Sequence, residues 1–250
     1  MKKLSLILLI FPVAVSVHAQ KSILGGLNKA IGKDSTKVMS AISKNSGGGN
    51  SLSNDEIISG LKQALTIGTD SSTKRLSRVD GFFSDAAIKI LMPEEAKKAE
   101  KTLRNFGMSP LIDKAVLSMN RAAEDAASGV SAIFWDAIKQ MTVTDGLGIL
   151  RGNNFAATEF LKKNTTASLT EKMKPVIRAS LDKVNATEYW KDVFTAYNKF
   201  SSQPINTDLT AYVTGKAMDG IFYEIGLEEQ KIRKDPKAQV TDLLKKVFGK

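Results

Sequence analysis

Apolar residues recur at intervals of three and four along most of the chain beyond position 52, which is the spacing of amphipathic α-helices. In residues 110–127 the apolar side chains fall within an arc of about 160° at 100° per residue. Similar stripes run through residues 130–141 and 169–184. Residues 208–233 are apolar over more than half of the helix circumference, so this segment is expected to form a largely buried penultimate helix.

Several predicted helices have capping residues at their ends. Ser53 and Glu56 have the spacing of a capping box, in which a hydroxyl and a carboxylate each bind a free backbone amide at a helix start. Gly107 is placed to end a helix in the left-handed conformation, and Asp235 followed by Pro236 is placed to begin one. Together with the periodicity, these signals predict an all-α fold, organised as a multi-helix orthogonal bundle.

One segment has a different pattern. Apolar residues alternate in part between Ala86 and Met92, after a glycine and two phenylalanines. Alternation with a period of two is typical of a β-strand. The prediction therefore leaves open one short β-hairpin near 79–92 in an otherwise helical bundle.

The first 19 residues have the pattern of a secretory signal peptide. Lys2 and Lys3 precede an apolar run. Val17 and Ala19 are permissible residues for the −3 and −1 positions of a signal-peptidase cleavage site. The run is about 12 residues long, short of the roughly 20 that span a bilayer. We predict cleavage after Ala19, a periplasmic or secreted protein, and no transmembrane span after cleavage. Residues 20–52 are predicted to form a weakly helical lead-in with a Gly/Ser/Asn linker, and residues 53–250 a single helical domain.

The composition excludes several classes of active site. Cysteine is absent, and the only histidine is His18, within the predicted signal peptide. Disulfide frameworks, Cys/His zinc sites, cysteine nucleophiles and Ser-His-Asp triads are therefore not expected. The sequence has no glycine-rich phosphate-binding loop and no EF-hand pattern. We predict no catalytic residues, no metal ligands and no cofactor.

The chain is basic, with 36 Lys and Arg against 26 Asp and Glu and a net charge of +10. Loss of residues 1–19 removes Lys2 and Lys3 and no acid, which lowers the net charge to +8. Most of the basic residues are lysines, whereas nucleic-acid readers concentrate arginine or interleave basic and aromatic residues. We predict no nucleic-acid partner. The lysines either cover solvated helix faces or attract an anionic envelope component, such as phospholipid or polymer phosphate.

Charged residues stand where the helical pattern expects apolar ones. On the helix predicted over 208–233, Lys216, Glu224 and Glu228 fall inside the apolar arc and Asp219 lies close to its edge. An unpaired buried charge costs several kcal/mol. These side chains are therefore expected to pair with one another, to find partners on another helix, or to line a wet cavity.

The helix predicted over 110–127 can supply the partners. Asn120 and Glu124 lie one turn apart at the edge of its apolar face, with Arg121 beside them. We predict a polar network between the two helices. It serves either to fix their register or to form a pocket in which a lysine, an arginine and several carboxylates bind a ligand.

Several ordered stretches of the chain resemble one protein family. They are MNRAAE at 119–124, AIKQMTVTD at 137–145, ILRG at 149–152, YVTGKAMDGIF at 212–222, EEQKIRKDP at 228–236 and LLKKVFG at 243–249. By these stretches the chain resembles domain-of-unknown-function family 4197, exported bacterial proteins, from about Ser53 to Lys250. The resemblance implies an export signal, a helical domain and no established biochemical activity. The site residues it singles out are Asn120, Arg121, Glu124, Asp145, Thr158, Lys216, Asp219, Glu228 and Arg233.

Three functional hypotheses follow. The first is an exported, non-catalytic binding or scaffold module with a buried polar cluster. The second is an enzyme that acts on an envelope polymer through Asp and Glu side chains, with or without a divalent metal ion. The third is a protein that binds anionic lipid or the membrane surface.

Overall fold

The described part of this computed structural model covers residues 52–199, 204–205, 207–239 and 241–248. Its helices, in chain order, are α1 (Asn54–Leu76), α2 (Lys97–Asn105), α3 (Ser109–Ala127), α4 (Ser131–Gln140), α5 (Val143–Arg151), α6 (Ala156–Asp182), α7 (Ala186–Asn198), α8 (Leu209–Lys234) and α9 (Asp242–Phe248). Short 3-10 turns occur at Glu94–Ala96 and Pro236–Ala238. The predicted signal peptide and nearly all of the predicted lead-in lie outside the described residues.

Local sequence signals set several helix ends. At the start of α1 the Glu56 amide donates to Ser53 Oγ over 3.2 Å, and the Ser53 amide donates to Glu56 Oε2 over 3.0 Å, which confirms the capping box. Gly107 has a φ of 79° at the end of α2, as a left-handed cap requires. Asp208 caps α8 by accepting from the Ala211 amide over 2.9 Å.

Helices α6 and α8 form the centre of the bundle, and α1, α3 and α4 pack against them. Half of the residues of α8 are buried, which confirms the prediction of a largely buried penultimate helix. The core consists of aliphatic side chains with a few aromatic ones, among them Phe82, Phe134, Leu161, Leu169 and Met173. The all-α bundle predicted from the periodicity is therefore confirmed.

The hairpin that the sequence left open near 79–92 is absent from the described structure. Residues 79–88 form consecutive turns, in which Asp85 accepts from the Ala87 amide through its side chain and from the Lys89 amide through its carbonyl. The alternation itself is real, because Ile88, Ile90 and Met92 are buried while Leu91 is 53% exposed. The strand prediction is wrong because the backbone of Ile90 forms its hydrogen bonds with a side chain of α3 and not with another strand.

We call residues 79–92 the turn segment, and it approaches α8 closely at Gly220. A Cβ placed at Gly220 would lie 2.5 Å from Cε1 of Phe82, and the Phe82 ring is fully buried. At Gly215, about one and a half turns earlier in α8, such a Cβ would have no neighbour within 4 Å apart from the adjacent residues and the backbone of its own helix. The two glycines thus share a helix but differ in what surrounds them.

We expect Gly220→Ala to lower the free energy of unfolding by about 1–2 kcal/mol, because overpacking the core costs more than the helix gains from alanine. Gly215→Ala is the matched control and should raise it by up to about 1 kcal/mol. Urea unfolding followed by circular dichroism measures both. An unfolding free energy for Gly220→Ala equal to or above that of the control would contradict the packing of Phe82 against α8.

Candidate functional site

The buried charged side chains of the described structure are three glutamates, and each contacts an arginine. They are Glu124 on α3 and Glu224 and Glu229 on α8, with exposed fractions of 3%, 2% and 7%. A buried carboxylate needs an opposite charge and hydrogen-bond donors to offset the loss of water. Glu124 and Glu229 have both kinds of partner, whereas Glu224 has an arginine partner alone.

Glu124 holds the turn segment against α3. Its Oε1 accepts hydrogen bonds from the amides of Phe82 and Phe83 over 3.1 and 3.2 Å. Its Oε2 accepts a hydrogen bond from Arg121 Nη1 over 2.6 Å. Arg121 Nη2 also binds Asp80 over 2.6 Å. The hydrogen bonds to Glu124 and then to Asp80 raise the pKa of the Arg121 guanidinium above its ordinary value. We call these residues the Glu124 cluster.

Asn120 performs the same task one turn earlier on α3. Its Oδ1 accepts from the Ile90 amide over 2.9 Å, and its Nδ2 donates to the Ile90 carbonyl over 2.8 Å. A neighbouring β-strand would offer this donor and acceptor pair. The fully buried amide side chain of Asn120 therefore replaces the strand that the alternating pattern had suggested.

Glu229 joins three helices. It accepts from the amides of Ala157 and Thr158 at the start of α6 over 3.0 and 2.9 Å, and from Thr158 Oγ1 over 2.7 Å. Arg233 lies one turn later on α8, where its Nη2 binds Glu229 over 2.7 Å and the Ile149 carbonyl near the end of α5 over 3.0 Å. A carboxylate is favourable at a helix N-terminus because the free amides and the helix dipole point at it. We call these residues the Glu229 cluster.

Glu224 binds the end of α1. Its Oε2 forms an ion pair with Arg75, which also binds Asp85 in the turn segment over 3.5 Å. Its other carboxylate oxygen is buried and has no hydrogen-bond partner among the described residues. Glu224 lies inside the apolar arc predicted for this helix, and its cationic partner comes from a different helix.

The nine residues predicted to form the site do not converge. Asn120, Arg121 and Glu124 lie together on α3, whereas Thr158 and Arg233 meet around Glu229. The expected network between these α3 groups and Lys216, Asp219 and Glu228 is not formed.

The other four predicted residues have more exposed positions. Asp145 closes a second capping box with Thr142, whose hydroxyl and amide hydrogen bonds hold the Asp145 pKa below its ordinary range. The side chain of Glu228 is 21% exposed and pairs with Lys231 over 2.5 Å. Lys216 and Asp219 are exposed and line an open cleft, which is one of the three settings expected for charges in the apolar arc.

Glu229 is not among the residues predicted from the sequence, because the buried face of α8 changes along the helix. Angular positions around the helix are counted at 100° per residue, with Leu209 at zero. Buried residues near the start of the helix, such as Val213 and Ala217, have a mean position near 60°. Further along, Ile225, Glu229 and Ile232 have a mean position near 170°. A single arc drawn for the whole helix therefore places Glu229 outside. The sequence signal for this pair is the four-residue spacing of Glu229 and Arg233, which places the two side chains next to each other on a helix.

A cleft of about 520 Å³ opens between residues 87–95 and one face of α8. Tyr212, Lys216, Asp219 and Tyr223 line it and fall within an arc of about 60° on the helix. We call it the Tyr212 cleft. The Tyr212 hydroxyl donates to the Leu91 carbonyl over 2.8 Å at its wall.

The Tyr212 cleft contains charges of both signs. Lys89, Glu94 and Glu95 line it opposite Lys216 and Asp219. Within the described residues no ion pair engages Lys216, Asp219 or Glu95. Burial, followed by the carboxylates of Glu95 and Glu94, raises the pKa of the Tyr212 phenol to about 12, so it stays protonated near neutral pH. The cleft can thus offer cationic donors, carboxylate acceptors and two aromatic rings to a ligand.

The described residues contain neither a cluster of metal ligands nor a membrane-spanning helix. His, Asp and Glu side chains do not gather there in any group of three or more that could hold a metal ion. None of the helices in the described ranges combines the length and the apolar character needed to cross a membrane.

Comparison with known proteins identifies the family. The family model described as "Protein of unknown function (DUF4197)" matches residues 51–249, which is most of the chain. The chain belongs to this family. No curated protein and no solved structure matches it. Family membership accounts for the resemblance in the stretches around the Glu124 and Glu229 clusters and the Tyr212 cleft, and it assigns none of them an activity.

We expect Glu229→Gln to lower the free energy of unfolding by about 3 kcal/mol, because it removes one partner of a buried pair. The neighbouring change Glu228→Gln is the control, and its exposed ion pair should contribute no more than about 0.5 kcal/mol. Chemical denaturation of both variants measures the difference. Equal losses in the two variants would show that the Glu229 cluster does not hold α5, α6 and α8 together.

Proposed function

We propose that the protein is an exported, non-catalytic binding module whose ligand site is the Tyr212 cleft. The observation that carries the proposal is the contrast between two sets of charges. The buried glutamates are each engaged by an arginine, and Glu124 and Glu229 also by backbone amides. Lys216 and Asp219 line an open cleft without an ion-pair partner in the described chain and are available to a ligand.

The lining favours a polar ligand that carries both an anionic and a cationic group. Lys216 and Lys89 suit a carboxylate or phosphate, while Asp219 and Glu95 suit an amine. The exposed ring of Tyr223 offers a flat apolar surface for a sugar or another ring. The cleft volume falls in the range of small-molecule sites. A saccharide–peptide fragment of the envelope polymer has these features.

An Asp/Glu-dependent enzyme is the less favoured alternative. Catalytic carboxylates must be free to exchange a proton or to attack a substrate. The buried glutamates Glu124 and Glu229 are instead held by backbone amides and arginines. Their arrangement supports a structural role.

The ligand proposal predicts amide chemical-shift changes in residues 87–95 and 212–223 when a disaccharide–peptide fragment of the cell-wall polymer is titrated into the labelled protein. Lys216→Met and Asp219→Asn should each weaken binding by about tenfold or more, because each removes a charge-assisted hydrogen bond. Neither should change the thermal stability, since both side chains are exposed.

Lys231→Met is the matched control, because Lys231 is an exposed lysine of the same helix that already pairs with Glu228. The uncharged disaccharide should bind far more weakly than the charged fragment. Shifts spread over other surfaces, or unchanged affinity in both cleft variants, would refute the assignment of the cleft.

Export is supported by the signal-peptide pattern of residues 1–19. The proposal predicts that the chain recovered from the periplasmic fraction or the medium begins at Gln20. Intact-mass measurement of the purified chain tests this. A chain found only in the cytosolic fraction with Met1 or Lys2 at its start would refute export.

A further inference from the structure

The turn between α2 and α3 exposes an unusual set of apolar side chains. Phe106 is 80% exposed, Leu111 52% and Met108 46%, and Pro110 is exposed between them. Single exposed apolar residues are common on protein surfaces and need no explanation. Here four of them occur within the six residues Phe106–Leu111, which we call the α2–α3 tip.

The α2–α3 tip lies outside the core, which Leu103 and Ile112 contact on either side of it. Helix α2 has no buried residue and packs mainly against α3. Gly107, with its positive φ, makes the tight turn that places Phe106 and Met108 at the end of this helical hairpin. Arg104 braces the hairpin by binding Glu100 over 2.9 Å and Asp113 over 2.8 Å.

Basic residues surround the apolar tip. Arg104 engages both acids next to it, and its pKa is raised by hydrogen bonds to Asp113 and then Glu100. Lys98, Lys101 and Lys114 are exposed and form no ion pair with any described residue. The hairpin therefore presents unpaired positive charge behind an apolar end.

We propose that the α2–α3 tip docks the protein on a membrane surface that contains anionic phospholipid. The helical rise of about 1.5 Å per residue puts Lys101 roughly 8 Å behind Phe106, and Lys114 roughly 5 Å behind Leu111. The headgroup region of a bilayer has a similar thickness on each side. With the apolar tip at the boundary of the acyl chains, the lysines lie at the level of the lipid phosphates.

Charge complementarity selects this occupant over a second copy of the chain. Two tips in contact would bring six unpaired lysines together, and like charges at an interface oppose association. An anionic lipid surface instead attracts the lysines and removes the phenylalanine, methionine and leucine side chains from water. This proposal does not depend on the ligand of the Tyr212 cleft.

A site-specific probe tests the proposal in the full chain. Because the chain has no cysteine, Met108→Cys gives a single attachment point for a polarity-sensitive fluorophore, and Val79→Cys gives a matched point on another exposed loop. We expect the emission of the probe at position 108 to shift to shorter wavelength with vesicles of phosphatidylglycerol and phosphatidylethanolamine. The probe at position 79 should not respond, and phosphatidylcholine vesicles should have little effect.

Vesicle sedimentation then measures how much the apolar tip and the lysines behind it each contribute to membrane binding. Phe106→Ser should weaken the partition coefficient about tenfold or more, and Lys98→Gln with Lys101→Gln by about tenfold to thirtyfold. Val79→Ser, and Lys172→Gln with Lys174→Gln, are the controls for exposed apolar and basic residues elsewhere. A shift to 0.5 M salt should release the protein, as screening requires.

Three results would overturn the proposal. One is an unchanged emission at position 108 with the anionic vesicles. Another is an equal shift at positions 79 and 108, since membrane contact would then lie elsewhere on the chain. The third is a shift that appears without vesicles and grows with protein concentration, which would assign the tip to a second copy.

Discussion

The bundle depends on carboxylates that are buried where irregular backbone meets helices. Non-helical segments carry free amides and carbonyls, and burying them without partners costs about as much as losing hydrogen bonds. Glu124 binds two such amides in the turn segment, and Glu229 binds two at the start of α6. In both cases an arginine on the same helix shares the carboxylate and balances its charge. Removing either partner would leave an uncompensated polar group inside the bundle.

This arrangement separates the charges that maintain the fold from those that can act on other molecules. The carboxylates of Glu124 and Glu229 are engaged by backbone amides and arginines of the protein itself, and Glu124 lies next to the fully buried Phe82. Lys216 and Asp219 of the Tyr212 cleft are exposed, and so are Lys98, Lys101 and Lys114 behind the α2–α3 tip. Substitutions of these exposed side chains leave the core intact, so loss of binding can be separated from loss of folding at both surfaces.

The turn segment of residues 79–92 links the fold to the proposed ligand site. Its first part is fixed to α3 by Glu124, and Ile90 is fixed by Asn120. Its last part forms one wall of the Tyr212 cleft, and the Tyr212 hydroxyl binds the carbonyl of Leu91 there. Rigid support of this wall reduces the conformational entropy that a ligand would otherwise have to remove on binding. The polar groups of α3 thus support the cleft from behind without lining it.

The sequence by itself determined the all-α class, the buried penultimate helix and the capping boxes, because these features follow from periodicity and from contacts over three or four residues. Only the tertiary structure decided which charged residues meet. The buried face of α8 changes along its length as its neighbours change, so Glu229 enters the core while Lys216 and Asp219 face the cleft. Likewise the partner of Ile90 is a side chain 30 residues away on α3. No local pattern encodes such pairings, because they depend on how helices distant in sequence pack against each other.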